Sequence, residues 1–473
     1  MQIPSAGTAT SGVTETPSTA THQGWSSRFA FIMASVGFAV GLGNIWKFPY
    51  VAGENGGGAF VLVYLLCVFA IGAPILMAEV LIGRRGRLSP NESMAHVAHE
   101  AGASKHWHWV GAMTMTTAFL MMLIYSVVAG WVLQYLFFSV SGTVTTLTTG
   151  QASGELFADV VADPGGLFFW CVVVLMLTGG IVASGIQNGI ERAVTFLMPL
   201  LFVLLLAMVG YAAVAGAFDR GLAFLFSPDF SKLSPQAVLI AIGQAFFSVS
   251  VAMAGMMTFG AYLPKSTSIA KSVSIVVCAD TLVALLAGLA IFPLVFANGL
   301  DPQAGPGLIF ETLPVAFAQM PGGYFFSTLF FLLLSVAAIT SNVGLLEPLV
   351  SWAEEHKGID RRRAGLMIVG ISLVLCSFTA LSFNHLKDFE PLGWLPLFAG
   401  MNINELLTFL IDQVLLPVGG LLIALFAGWV MHRETTRDEL AMANPRLFAL
   451  WYFLIRYIVP VAVFLVLVLG ISE

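Results

Sequence analysis

An all-α membrane protein that crosses the bilayer many times is the fold class this sequence predicts, and three observations carry the prediction. The 473 residues are 58% hydrophobic and only 10% charged, with a mean hydropathy of +0.90, whereas soluble domains carry about 25% charged residues. Several unbroken apolar runs reach the roughly 20 residues that a spanning helix needs. None of the runs shows the alternation, in segments of about ten residues, that marks a membrane β-barrel. Helices are the natural solution, because a helix satisfies its own backbone polar groups where no water can.

Taken in order, residues 1–24 come first. They are rich in Ser, Thr, Gly and Ala, have no Lys or Arg, and lack an apolar core. That composition predicts a disordered cytoplasmic tail and not a cleaved signal peptide. Residues 25–473 form a single transmembrane domain, because no charge run or linker divides them. Eleven apolar segments follow, at about 28–53, 57–83, 107–140, 167–184, 190–216, 235–263, 268–297, 322–355, 363–382, 402–431 and 446–471. The basic residues orient them. One set of loops and segment ends holds Arg84, Arg85, Arg87, Lys105, Arg192, Lys265, Lys271, Lys357, Arg361, Arg362, Arg363, Arg433, Arg437 and Arg446; the other holds only Arg220, Lys232 and Lys387. By the positive-inside rule the first set is cytoplasmic. This puts the N-terminus inside a cell (plasma) membrane, an inner membrane in a bacterium, and the C-terminus outside. Lys47 belongs to neither set, since it lies within segment 1. In the outer stretch 298–321, "LIFETLPVAF" predicts a short surface helix.

Composition also narrows function. The net charge of −6 favours no partner class, no nucleic-acid partner is expected, and oligomeric state is not readable. Cys67, Cys171, Cys278 and Cys376 lie singly in apolar segments, as small core residues do. There is no HExxH, GxSxG or P-loop, and His96, His99, His106 and His108 sit in a loop without cysteines. An intramembrane hydrolase needs a nucleophile with a base at membrane depth, so the chain does not read as an enzyme. Membrane lipid is its surrounding partner. Glu79 is near Arg84 in sequence, which predicts a pair; Glu347 reads as an interior hydrogen-bonding acid.

Two segments are broken. Segment 1 contains "AVGLGN" (Ala39 to Asn44) within "FAVGLGNIWKFPYVAGENGGGAF", and segment 6 reads "GQAFFSVSVAMAGMMTFGAYLP". Each glycine in a helix interior lowers its stability by about 1 kcal/mol. Irregular backbone at membrane depth survives only where it lines a cavity. Segments 1 and 6 open two five-helix halves, about 28–216 and 235–431, with 446–471 as an extra helix. Interrupted helices at corresponding places of two halves point to a transporter binding site. A break exposes N–H groups that attract a carboxylate and C=O groups that attract a cation.

At these residues the chain resembles the neurotransmitter:sodium symporter family, in its bacterial eleven-helix form. The motifs are "AVGLGNIWKFPY", "ENGGGAF", "GIERA", "GQAFFSVSVAM", "LAGLAIFP" and "SNVGLLEP", in the family's order over roughly 25–471. The resemblance implies a five-plus-five inverted-repeat transporter fold with broken helices 1 and 6. It implies a symporter that imports a neutral, apolar amino acid with sodium by alternating access, with two sodium ions and no organic cofactor. It implies a first sodium site of the Ala39 carbonyl, Asn44, Ser248 and Asp280. A second would use carbonyls of Gly37, Val40 and Ala337 with the hydroxyls of Thr340 and Ser341. The substrate carboxylate would meet Leu42, Gly43 and Tyr125, and its amino group Ala39, Phe247, Ser248 and Ser250. The side-chain pocket would be Met121, Tyr125, Phe247, Met253, Ser341 and Leu345. Gly41 stands where amine-carrying relatives place an aspartate, and so leaves room for a carboxylate. Ala252 and Ala254 stand where relatives often have glycine, which predicts a smaller limit on substrate size, with tryptophan taken up less well than leucine.

The chain departs from the family pattern in places. Asp280 stands where asparagine is usual, and Ala284 where chloride-dependent relatives have serine. A fixed carboxylate there predicts chloride independence; the alternative is a proton site in a proton-coupled amino acid transporter of the same fold, and a non-transporting amino acid sensor is a third reading. Lys47 replaces an arginine of the outer gate. Matching "VLLPVGG" puts Thr408 at the expected aspartate, so Glu405, one turn earlier, is the expected partner, with Tyr125 and Phe247 closing above the substrate. Trp25 and Arg28 are expected at the inner gate, Arg28 with an acid. Gly189 and Pro199 bracket a stretch of segment 5 that relatives unwind.

Overall fold

The computed structural model describes residues 24–472. The expected tail therefore lies outside the described residues, apart from Gly24. Among the described residues there is no strand.

The first span, α1, has two halves, Arg28–Ala39 and Gly43–Glu54, bent by 49° at the break. Ser27 caps it, its side chain accepting from the Ala30 N–H at 3.1 Å, as short polar N-caps do. The first half stops at Val40, whose backbone is extended. Next come α2 (Gly58–Gly86), α3 (Lys105–Val140), α4 (Pro164–Ala183) and α5 (Ile186–Ala215). The sixth span, α6, is again two helices, Pro235–Ser248 and Gly255–Ala261. Then follow α7 (Ile269–Ala297), α8 (Gly323–Lys357), α9 (Arg361–Leu381), α10 (Ile403–Val430) and α11 (Pro445–Gly470). Among the described residues nine helices are long and apolar enough to cross a membrane, and α1 makes a tenth when its bent pair is taken as one span. The two parts of α6 are each shorter than a span and occupy the place of the expected sixth segment.

The packing is that of two exchanged halves. The first half of α1 packs on α7, and the last part of α6 packs on α2. Likewise α3 packs on α4 as α8 packs on α9, and α4 on α8 as α9 on α3. Exchanging each helix with the one five numbers away (α1 with α6, α2 with α7, α3 with α8, α4 with α9) maps these pairs onto one another. Such internal repeats place their broken helices at a shared midplane site. The core sits around α1, α3, α6 and α8; α8 is buried through most of its length, including Ser335 to Ser351 with few interruptions.

Outside the spans, "LIFETLPVAF" lies in a helical segment, Leu308 to Gln319, as expected, but it is not a surface element. Leu308, Ile309, Phe310 and Leu313 are buried, and the Phe310 ring stacks on Phe157 at 5.5 Å. At the opposite, arginine-rich end, Arg84 does not pair with Glu79. It donates to Glu439 at 2.6 Å and to the Thr267 carbonyl at 2.5 Å. Glu79 instead reaches α6. Glu347 is a buried hydrogen-bonding acid, held by the Tyr262 hydroxyl at 2.8 Å and by Arg361.

Candidate substrate and ion site

The break in α1 frees backbone groups that neighbouring helices then meet. The Gly41 N–H donates to Asn44 Oδ1 at 3.2 Å, and the Leu42 N–H to the Tyr125 hydroxyl of α3 at 2.8 Å. A Cβ on Gly41 would lie 2.4 Å from Ser341 Oγ and 2.5 Å from the Tyr125 hydroxyl, and one on Gly43 would lie 2.7 Å from the Phe247 ring. Both glycines are therefore required by close approach. Gly43 also accepts a bond of 2.9 Å from Gln244 through its carbonyl.

The break in α6 is built differently. Ser250, Ala252 and Ala254 all have left-handed backbone, with φ of 55°, 61° and 60°. That conformation costs an L-residue roughly 1–2 kcal/mol. Two partners hold it. The Ala252 N–H donates to Glu79 Oε1 at 2.5 Å, and the Ser250 hydroxyl to the Phe38 carbonyl at 3.3 Å. A buried acid on α2 thus fixes the irregular turn of α6, an arrangement that sequence proximity to Arg84 concealed.

Between the two breaks lies a small cavity, about 20 Å³, lined by Phe38, Ala39, Gly41, Gly43, Met121, Tyr125, Phe247, Ser250, Met253, Ser341 and Leu345. No charged side chain lines it. The structure brings together Ala39, Gly43, Met121, Tyr125, Phe247, Ser250, Met253, Ser341 and Leu345 from the expected set. Leu42 lies just above, lining the vestibule. Ser248 turns away into a polar cluster below. Phe38 is an additional wall that motif matching passed over, since it sits in an apolar run like any core residue.

In that cluster Asp280 is fully buried. Its Oδ1 accepts from Asn44 at 2.7 Å and its Oδ2 from Ser248 at 2.6 Å. Asn44 also donates to Ser248 and to the Asp280 carbonyl, at 3.0 and 3.1 Å, and Tyr64 shares a hydrogen bond of 2.8 Å with Ser248. Each carboxylate oxygen has a donor, which a buried acid requires. Ala284 is buried one turn further along α7. The carboxylate and hydroxyl oxygens here suit a hard cation; Asn44 turns its amide NH2 into the cluster and its oxygen to the Gly41 N–H. Across α1, Gly37 packs tightly on α8, with a would-be Cβ 3.3 Å from Thr340 Cβ. Ser341 donates to the Gly37 and Phe38 carbonyls at 3.4 and 3.3 Å. Thr340 bonds within its own helix, to the Val336 and Ala337 carbonyls at 3.0 and 3.1 Å. Val40 donates back to Val36 at 2.7 Å, ending the helix beside them. Among the described residues no three His, Cys, Asp or Glu gather as a site for a transition metal.

Above the cavity is a vestibule of about 300 Å³ whose floor includes Met121, Tyr125 and Phe247. Lys47 crosses it to Asp412, with Nζ 2.9 Å from Oδ2, and lies 4.1 Å over the Phe247 ring. This corrects the expected partner. Glu405 is exposed and forms a capping box with Asn402 at the start of α10. Thr408 bonds its own Asn404 carbonyl. A π-turn at Leu410–Leu415 carries Asp412 toward Lys47, and an added residue in such a turn shifts the register. The signal was present: Asp412 is an acid inside an apolar span, where an ionisable group needs a partner.

At the other end, Trp25 is buried and donates through its indole to the Phe259 carbonyl at 3.0 Å. Its ring packs edge-on against Phe31, Phe259 and Tyr262. Arg28 bonds not to an acid but to the Ser272 hydroxyl of α7, at 3.2 Å. Gly189 falls within a π-turn, Ile186–Glu191, that opens α5, while Pro199 is inside the regular helix.

Two broken helices around an uncharged cavity, in a bundle of two exchanged halves, define a multi-span transporter of the inverted-repeat class. The comparisons give the family. The sequence matches the sodium:neurotransmitter symporter family over residues 22–151 and 153–473, and the chain belongs to that family. It is 37% identical over 452 residues to YhdH, an uncharacterised sodium-dependent transporter of Bacillus subtilis, covering 93% of this chain and 96% of that one. It is 32% identical to an uncharacterised sodium-dependent transporter of Haemophilus influenzae, covering 94% and 97%. Its structure is similar to that of MhsT in complex with L-phenylalanine, with a TM-score of 0.86, 39% identity, and 94% and 99% of the two chains covered. The protein is thus a sodium-dependent membrane transporter and not an enzyme.

Proposed function

We propose that this transporter carries a neutral, apolar amino acid into the cell with sodium, by alternating access and without chloride. The observation that carries the reading is the cavity between the breaks, whose side-chain walls are apolar or hydroxylic and hold no counter-charge for an acidic or basic side chain. Gly41 and Gly43 free the backbone that would take the carboxylate, with Tyr125. The phenylalanine bound to MhsT supports an apolar side chain among Met121, Phe247, Met253 and Leu345.

Asn44, Ser248, Asp280 and the Ala39 carbonyl would hold one sodium ion. Gly37, Val40, Ala337, Thr340 and Ser341 would hold a second. Asp280 supplies the fixed negative charge that offsets the cations, in place of chloride. Lys47, Asp412, Tyr125 and Phe247 form the outer lid, and Trp25 the inner plug. The arginine-rich end faces the cytoplasm of a cell's inner (plasma) membrane. Inward movement of each charge then draws about 2.3 kcal/mol per 100 mV of potential.

Uptake of the twenty labelled amino acids into proteoliposomes tests the proposal. It expects accumulation of leucine and phenylalanine that needs external sodium and is indifferent to chloride, with tryptophan poorer because of Ala252 and Ala254. Uptake driven by low external pH without sodium would replace it with proton coupling. Binding without accumulation would make the protein a sensor.

A further inference from the structure

Beside the arginine-rich end of the bundle, a groove of about 710 Å³ opens sideways toward lipid between α2, α7 and α11. Its two regions differ in chemistry. Along its length the walls are apolar, including Phe69, Met77, Leu447 and Leu450, the first and the last two of which are largely exposed. At its end stand Arg28 and Lys271, both exposed, and no acid lines the groove. Among the described residues neither cation has an ion-pair partner; Arg28 spends only Nε, on Ser272.

We propose that this groove binds one anionic phospholipid from the leaflet at the arginine-rich end, its phosphate between Arg28 and Lys271 and an acyl chain along the apolar walls. The argument is charge complementarity combined with depth. An apolar channel at the level of acyl chains accepts hydrocarbon, and two cations without an acid partner among the described residues, at the headgroup level, attract an anionic head. The guanidinium of Arg28 keeps its terminal nitrogens for a phosphate, which its planar fork suits. The position gives the lipid a consequence. Arg28 begins α1 three residues after the Trp25 plug, and Lys271 lies in the first turn of α7. A phosphate bridging them fastens the first half of α1 to α7 and favours the plugged end.

Native mass spectrometry of the full chain with added phosphatidylglycerol or phosphatidylcholine tests this. The expected result is one phosphatidylglycerol retained at least tenfold better than phosphatidylcholine, with inorganic phosphate unable to displace it. Lys271→Gln removes one of the two cations and weakens retention about five-fold. Ala443→Trp, which fills the exposed wall of the groove, lowers retention of both lipids. Melting in detergent without lipid identifies any variant that fails to fold, and the other then stands. Equal retention of the two lipids, displacement by phosphate, or retention unchanged by both variants would overturn the proposal.

Discussion

Gly41, Asp280 and the Lys47–Asp412 pair are where the proposed site can be tested residue by residue. Gly41 has no room for a methyl group between Ser341 and Tyr125. Gly41→Ala forces one of them aside and removes the Tyr125 bond to Leu42, so amino acid affinity measured by scintillation proximity should fall more than tenfold while the protein still folds. Asp280 is the buried charge of the cluster. With Asp280→Asn, sodium-driven uptake is expected to drop at least tenfold without chloride and to recover in part when chloride is added together with Ala284→Ser; recovery independent of chloride would argue against a fixed-charge role. Lys47 and Asp412 form a pair in direct contact, with side chains 21% and 26% exposed. A double-mutant cycle of Lys47→Met and Asp412→Asn on substrate off-rate should give a coupling of about 0.5–1 kcal/mol, the range of a partly exposed pair. A Glu405→Gln control should leave the off-rate unchanged.

At the scale of elements, α6 keeps its turn in a left-handed conformation without using glycine at Ser250, Ala252 or Ala254. Ala254→Gly relieves that backbone cost and should leave melting temperature unchanged or raised. The same change in regular helix, Ala118→Gly in α3, should cost about 1 kcal/mol in backbone propensity alone. Such reasoning also separates what could be read from sequence from what could not. The spans were legible because lipid demands long apolar runs, and the breaks in α1 and α6 because Gly, Asn and Ser interrupt those runs. The cavity walls were legible through motif order. The partners of Lys47, Glu79, Arg84 and Arg28 were not. Each is a long side chain whose reach crosses between helices distant in sequence: Asp412 lies 365 residues from Lys47, and Glu79 lies 173 from Ala252. The π-turn that contains Asp412 also broke the register that motif spacing assumed.

Across the whole molecule, stability at the arginine-rich end rests on groups with few substitutes. Glu347 is fully buried, and Arg361 and Tyr262 are its partners. Arg361→Ala leaves a buried acid without its cation, which typically costs 3–5 kcal/mol, about the effect expected here in a thermal or denaturant unfolding series. The paired replacement Glu347→Gln with Arg361→Met should recover most of that loss. Tyr262 also accepts the Trp25 backbone N–H at 3.2 Å through its carbonyl, so the Glu347 network steadies the plug. Loss of Arg361 should accordingly loosen the inner end, visible as faster labelling of a cysteine placed at Ser341.

The lid has a consequence for how such a transporter is assayed. Lys47 holds Asp412 at a partly wetted surface and covers Phe247, and charges at that exposure feel dissolved salt. The screening length shrinks from about 8 Å at 0.15 M salt to about 3 Å at 1 M. A sodium titration without a compensating inert cation therefore varies two things at once, the supply of cargo and the grip of the latch above it. Apparent sodium cooperativity measured at constant ionic strength should differ from that measured without it, and neutralising Lys47 should bring the two curves together.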